Sequence, residues 1–177
     1  MSNFKPTYEQ IVAAYKKKGY KFYTEGNYNV NFFGIRKDDI LDNKFSDTLG
    51  MAYKVSGQPE MVLIPGTTCP GLYGGRAAMN PRPGGVAIVC PGQYIGVWEF
   101  VDDYVTWLKY PFFKQVGTFK IWRDGDKDTI VDHINEQLSN GDGINCHRMS
   151  WDGIEGQQAL NNWSEGCQGA EEKKKKK

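Results

Sequence analysis

His147 and Cys167 stand twenty positions apart and form the pairing in this chain with the plainest chemistry. A thiol needs a base to become a thiolate near neutral pH, and imidazole is the side chain suited to that task. The flanking stretches are Gly143-Ile144-Asn145-Cys146-His147-Arg148 and Asn162-Trp163-Ser164-Glu165-Gly166-Cys167-Gln168. Ser164 and Gly166 are small, so a substrate backbone can approach, and main-chain N–H groups near Gly166 and Cys167 can hold an oxyanion. The chemistry implied is acyl transfer, with Cys167 attacking a carbonyl and His147 taking and returning the proton. The bland alternative is a structural cysteine buried in a turn and a histidine satisfied in a core. No clear acidic third member appears, which leaves Ser164 or a backbone carbonyl to orient the imidazole.

The same residues resemble the L,D-transpeptidase (YkuD-type) catalytic domain. That family carries a histidine, a glycine-containing spacer and a Ser-x-Gly-Cys signature. Here the pieces are His147, a spacer with Gly153 and Gly156, and Ser164-Glu165-Gly166-Cys167. The resemblance implies a β-sandwich or barrel-like core and a cysteine nucleophile acting on peptidoglycan stem peptides, with His147 as its base. Two positions depart from the family pattern. Glu165 stands where histidine is usual, and Gln168 falls near where arginine or asparagine is common. Taken together, the two stretches are similar to a branch met in bacteriophage genomes.

Substrate contacts follow from the same resemblance. Residues 67–85 are rich in glycine and proline, and the corresponding region of the family lies near the active-site cleft. Tyr73, Arg76 and Arg82 would there meet the carboxylates of acidic stem peptides, because guanidinium binds carboxylate bidentately. Trp163 and Gln168 flank the signature as further candidates. Arg148 would steer a substrate carboxylate or brace its loop through a salt bridge. The glycines do not form a phosphate loop, since no Gly-Lys-Ser/Thr follows them.

The elements that must carry these residues are mainly β. A chain of 177 residues suits one domain with its own core, taken as residues 1–169, followed by a charged tail at 170–177 expected to be disordered. Aromatic residues make up 14% and there are 21 glycines, a mixture that favours short strands and tight turns over a helical bundle. Residues 7–18 read as the one clear helix: Thr7 can cap it with Gln10 three positions on, and Tyr8, Ile11, Val12 and Tyr15 make an apolar stripe that Gly19 ends. Strands are expected at residues 30–35, 50–55, 60–64, 85–90, 94–98 and 118–122, and residues 143–147 form a strand delivering His147 to its end. Residues 104–113 are aromatic-rich and ambiguous, and residues 130–138, which include His133, suit a small flanking helix. The loop at 36–47 holds Asp38, Asp39, Asp42 and Asp47, expected to be solvated.

Composition also bounds the partners and cofactors. Basic and acidic residues nearly cancel, 22 against 21, so no global field points to nucleic acid. The four cysteines lack the spacing of a disulfide framework, and Cys69 with Cys90, or Cys146 with Cys167, pair only if the fold joins them. No C-x-x-C is present, and His133 with His147 is not a ligand pair at helical spacing, so no metal site is expected. Residues 124–128 begin like a calcium loop but lack the glycine and glutamate it requires. No cofactor is implied.

No stretch approaches the ~18 apolar residues of a membrane span, and the N-terminus shows no apolar signal region. The expectation is synthesis in the cytoplasm, with action at the cell wall after release or carriage in a virion. Two other functions compete with wall acyl transfer. One is a non-catalytic wall-binding or virion structural protein, contacting other virion proteins, that kept the scaffold. The other is an intracellular cysteine peptidase of another family.

Overall fold

The computed structural model describes residues 4–73, 76–77, 85–102, 110–124, 130, 138–149, 160 and 164–171, leaving Arg82, His133, Trp163 and most of the 130–138 stretch outside. The described chain is mainly β with one helix, as its composition implies. Helix α1 (Tyr8–Lys17) starts where expected. Thr7 Oγ accepts from Gln10 N–H at 3.2 Å while Gln10 Oε1 accepts from Thr7 N–H at 2.8 Å, a reciprocal cap worth about 1 kcal/mol. Gly19, at φ 68°, ends it.

Twelve strands follow among the described residues: β1 (Asn31–Ile35), β2 (Asp47–Val55), β3 (Gln58–Thr67), β4 (Leu72–Tyr73), β5 (Arg76–Ala77), β6 (Ala87–Val89), β7 (Trp98–Val101), β8 (Phe112–Gln115), β9 (Phe119–Arg123), β10 (Ser139–Gly141), β11 (Cys146–Arg148) and β12 (Gln168–Ala170). Seven form one sheet in the order β1-β2-β3-β12-β11-β8-β7, three form a second in the order β10-β9-β6, and β4 pairs β5. The long β2–β3 hairpin turns at Ser56 and Gly57, both at positive φ, the geometry that matches strand twist across a two-residue loop.

The large sheet curls into a half-barrel. Its two ends approach through aromatic packing rather than backbone pairing: Phe32 of β1 meets Trp98 of β7 at 5.1 Å and Phe113 of β8 at 5.7 Å between ring centroids. One face carries Phe33, Ala52, Met61 and Leu63 and is covered by Tyr8, Ile11 and Tyr15 of α1. The other meets the three-stranded sheet, where Trp98 packs on the cluster of Ala87, Val97, Phe119, Ile121 and Ile144. Glycine is required where these layers are tightest; a Cβ on Gly50 would collide with the Phe33 ring.

Several boundaries differ from the sequence reading. Residues 94–97 form a turn rather than a strand, because Tyr94 Oη donates to Cys90 O and Val97 O accepts from Val116 and Gly117 N–H. Residues 143–145 are likewise a turn, so His147 sits in the middle of β11 and not at a strand end. Ala170 is not part of a free tail: it pairs with Gly66, and Glu171 N–H reaches Pro65 O at 2.9 Å. Asp47, grouped with the solvated acids, is buried and opens β2. Its Oδ1 accepts from Lys37 N–H at 2.8 Å, and its Oδ2 accepts from Thr68 N–H and the Thr68 hydroxyl, each at 2.7 Å.

Candidate functional site

The site stands on β11 and β12, the sheet's parallel pair, in which Cys146 faces Gln168, His147 faces Gly169 and Arg148 faces Ala170. Partners across a ladder share a face and neighbours along a strand alternate. Gln168 N–H donates to Asn145 O at 2.9 Å, one of the bonds that make the Cys146–Gln168 pair. A Cβ on Gly169, the partner of His147, would meet Met149, so Met149 lies on the His147 face. Cys167, which precedes β12, packs against the cluster of Met149, Phe45 and Leu160. Cys146 and Gln168 occupy the opposite face. The sheet thus brings His147 and Cys167 to one side of adjacent strands.

His147 is 7% exposed, and its Nδ1 lies 2.7 Å from Arg148 O. A carbonyl only accepts, so this nitrogen carries the proton and Nε2 is left as the basic, lone-pair nitrogen. Tyr110 completes the clamp: its hydroxyl donates to the same carbonyl at 2.9 Å and lies 3.2 Å from Nδ1. The Arg148 guanidinium covers the Tyr110 ring at 4.2 Å. Burial holds the imidazole below its ordinary pKa, and the Arg148 carbonyl acts in the other direction. Tyr110 comes from the aromatic stretch that sequence left ambiguous, and nothing in its spacing from His147 announces the contact.

No disulfide joins any of the four cysteines, and Cys167 alone is only partly buried. Burial pushes Cys69 up to about 11 and Cys146 up to about 12, which makes them inert core groups. Cys167 is raised as well, first by desolvation and then by the Glu165 carboxylate, while the Asn145 N–H beside the sulfur favours the thiolate. At rest the thiol donates to Gly143 O at 3.4 Å. Among the described residues there is no hydrogen bond between Cys167 and His147. Raised thiol and depressed imidazole leave both groups neutral near pH 7, so a standing thiolate–imidazolium pair is not the resting form.

The remaining candidates separate. Ser164 does not touch the imidazole; it is 1% exposed, and its hydroxyl donates to Cys167 O at 2.7 Å while accepting from Gly166 N–H at 3.2 Å. It clamps the loop that carries Cys167, an ordinary local use of serine. That bond also occupies the Gly166 N–H, whereas the Cys167 N–H has no hydrogen-bond acceptor among the described residues. Gly166 is glycine for space and conformation: its φ is 155°, and a Cβ would press on Ile144 and Ala87.

Gln168 points into the protein. It is 6% exposed and donates to Thr68 O at 3.1 Å, tying β12 to the end of β3. Tyr73 and Arg76 oppose each other across the β4–β5 ladder, and their side chains lie outside the described residues, as does Trp163. The glycine-rich segment does reach the loop that carries Cys167, through Gly71 N–H to Ser164 O at 3.0 Å. No three His, Cys, Asp or Glu side chains converge as a metal set among the described residues, and no helix there is long and apolar enough to cross a membrane.

Comparison with protein-family models, curated proteins and solved structures returns no match to this chain.

Proposed function

We propose that the protein is a cysteine acyl-transfer enzyme acting on peptidoglycan stem peptides, with Cys167 as nucleophile and His147 as general base. The observation that carries this reading is the 2.7 Å contact of His147 Nδ1 with Arg148 O on the sheet face that also bears Cys167. A backbone carbonyl there does the work of an acidic third member: it fixes the ring and its tautomer, leaving Nε2 to accept a proton. The stem-peptide substrate rests on the resemblance of His147 and Ser164-Glu165-Gly166-Cys167 to the L,D-transpeptidase signature.

Because both groups are neutral at rest, the proton moves during attack. His147 Nε2 takes the thiol proton as the sulfur bonds to the peptide carbonyl carbon, and the Cys167 N–H meets the oxygen that becomes negative. Collapse of the tetrahedral adduct breaks the carbon–nitrogen bond, and His147 returns its proton to the leaving amine. The thioester is then resolved by water, giving hydrolysis, or by a second amine, giving a cross-link.

A second reading is a non-catalytic wall-binding or virion structural protein. The thiol's hydrogen bond to Gly143 O, rather than to His147, favours it. Mass spectrometry of peptidoglycan fragments incubated with the wild type and with Cys167→Ala separates the two. New cleaved or cross-linked fragments from the wild type alone support the enzyme. Unchanged fragments from several wall types, with both proteins bound to intact wall, support the binding protein.

A further inference from the structure

Gln115 stands on β8, outside both catalytic stretches, yet it makes four hydrogen bonds. Its Oε1 accepts from Ile144 N–H at 2.6 Å, and its Nε2 donates to Gly141 O at 2.6 Å and Gly117 O at 2.8 Å. Its main-chain N–H donates to Asn145 Oδ1 at 2.9 Å. Three of these bonds end on residues 141–145, the turn that leads into β11.

That turn supplies both main-chain groups that meet the nucleophile: the Gly143 carbonyl, to which the thiol donates, and the Asn145 N–H beside the sulfur. Gly143 adopts φ 73°, and its closing bond from Asn145 N–H to Gly143 O spans only two residues. Trp98 Nε1–H also ties the turn, donating to Ile144 O at 2.8 Å, as does Gln168 N–H, donating to Asn145 O at 2.9 Å. Gln115 adds its three bonds to these two.

We propose that Gln115 is a positioning residue for the nucleophile: by fastening the turn at 141–145 from the neighbouring strand, it holds the Gly143 carbonyl and the Asn145 N–H against the Cys167 sulfur. The inference deepens the acyl-transfer reading and rests on Cys167 being its nucleophile. A thiol donates weakly, whereas a thiolate accepts a charge-assisted bond from N–H, so loosening the turn costs the ionised form more than the neutral one. Among the described residues, the titratable groups that act on Cys167 or feel it are Glu165 on its own loop and Cys146 on β11; Phe45, Met149 and Leu160 add none.

The test is the pH dependence of Cys167 alkylation by iodoacetamide in the full chain, read by mass spectrometry of the Cys167 peptide. Gln115→Met keeps the length of the side chain and removes its three bonds. Gln115→Glu keeps the acceptor for Ile144 N–H but sets a carboxylate against two carbonyls. Both should move the titration midpoint up by about one unit, a roughly tenfold loss of rate near neutral pH, with the near-UV circular dichroism of the wild type. Loss of stability alone does not move this midpoint. Folded variants that titrate like the wild type overturn the proposal. If both fail to fold, Asn145→Ala removes only the Oδ1 support, and an unchanged midpoint there overturns it as well. The readout involves no wall substrate, so peptidoglycan chemistry and the role of Gln115 can fail independently.

Discussion

Gly169→Ala should destabilise the protein, and Met149→Ala should largely relieve that cost. Gly169 faces His147 across the parallel ladder. A Cβ built there falls within contact distance of Met149 Cε and Cγ and lies 2.8 Å from its sulfur. A methionine tip can swing aside, but Cγ moves only with a change of rotamer, and Met149 is 1% exposed against Phe45 and Leu160. Overpacking of this kind costs about 1–3 kcal/mol. Met149→Ala should itself cost about 2–5 kcal/mol by leaving a cavity. With the thioether gone, the new methyl enters vacated space, so the second substitution adds at most about 1 kcal/mol and the coupling is about 1–2 kcal/mol. Urea unfolding of the wild type, both single variants and the double variant, followed by tryptophan fluorescence, measures the cycle. Additivity within about 0.5 kcal/mol would mean that Met149 does not lie over Gly169. The β11–β12 register would then be wrong, and with it the argument that Cys167 and His147 share a face.

Two further outcomes test the electrostatics of the site. Glu165→Gln removes a carboxylate that raises the Cys167 thiol, so alkylation of Cys167 near pH 8 should quicken several-fold with its midpoint shifted down; an unchanged profile would show that the carboxylate does not act on the sulfur. His147 is held below its ordinary value of 6.5 by burial, so the unfolded chain binds a proton that the native state refuses. The stability this group gives is therefore present above the unfolded value and is lost as pH falls through it towards the native one. Unfolding curves between pH 8 and 5 should show a shallower loss for His147→Gln than for the wild type, and equal slopes would remove the buried neutral imidazole from the account.

Much of the frame follows from local rules that the amino-acid sequence states directly. Thr7 and Gln10 define the start of α1 because a reciprocal cap needs only residues three apart. The runs at residues 30–35, 50–55 and 60–64 read as strands because they are β-rich and bounded by turns, and in the fold they lie within β1, β2 and β3, apart from Val30 just before β1. His147 and Cys167 stand out in the sequence as candidates because imidazole and thiol are chemically distinctive wherever they fall.

What tertiary structure decided is everything that rests on contacts between distant segments. Asp47 reads as one more loop acid, and only the return of Thr68 beside it turns it into a buried acceptor of three hydrogen bonds. Gln168 reads as part of the catalytic signature, but it bonds Thr68, one hundred positions away, and faces the core. Tyr110 and Gln115 carry no mark in the sequence, since a hydroxyl beside His147 and an amide across residues 141–145 exist only once β8 lies against β11. The orienting group for the imidazole is the least legible of all. It is the carbonyl of Arg148, and a main-chain oxygen is the same in every residue, so only the folded backbone could select it.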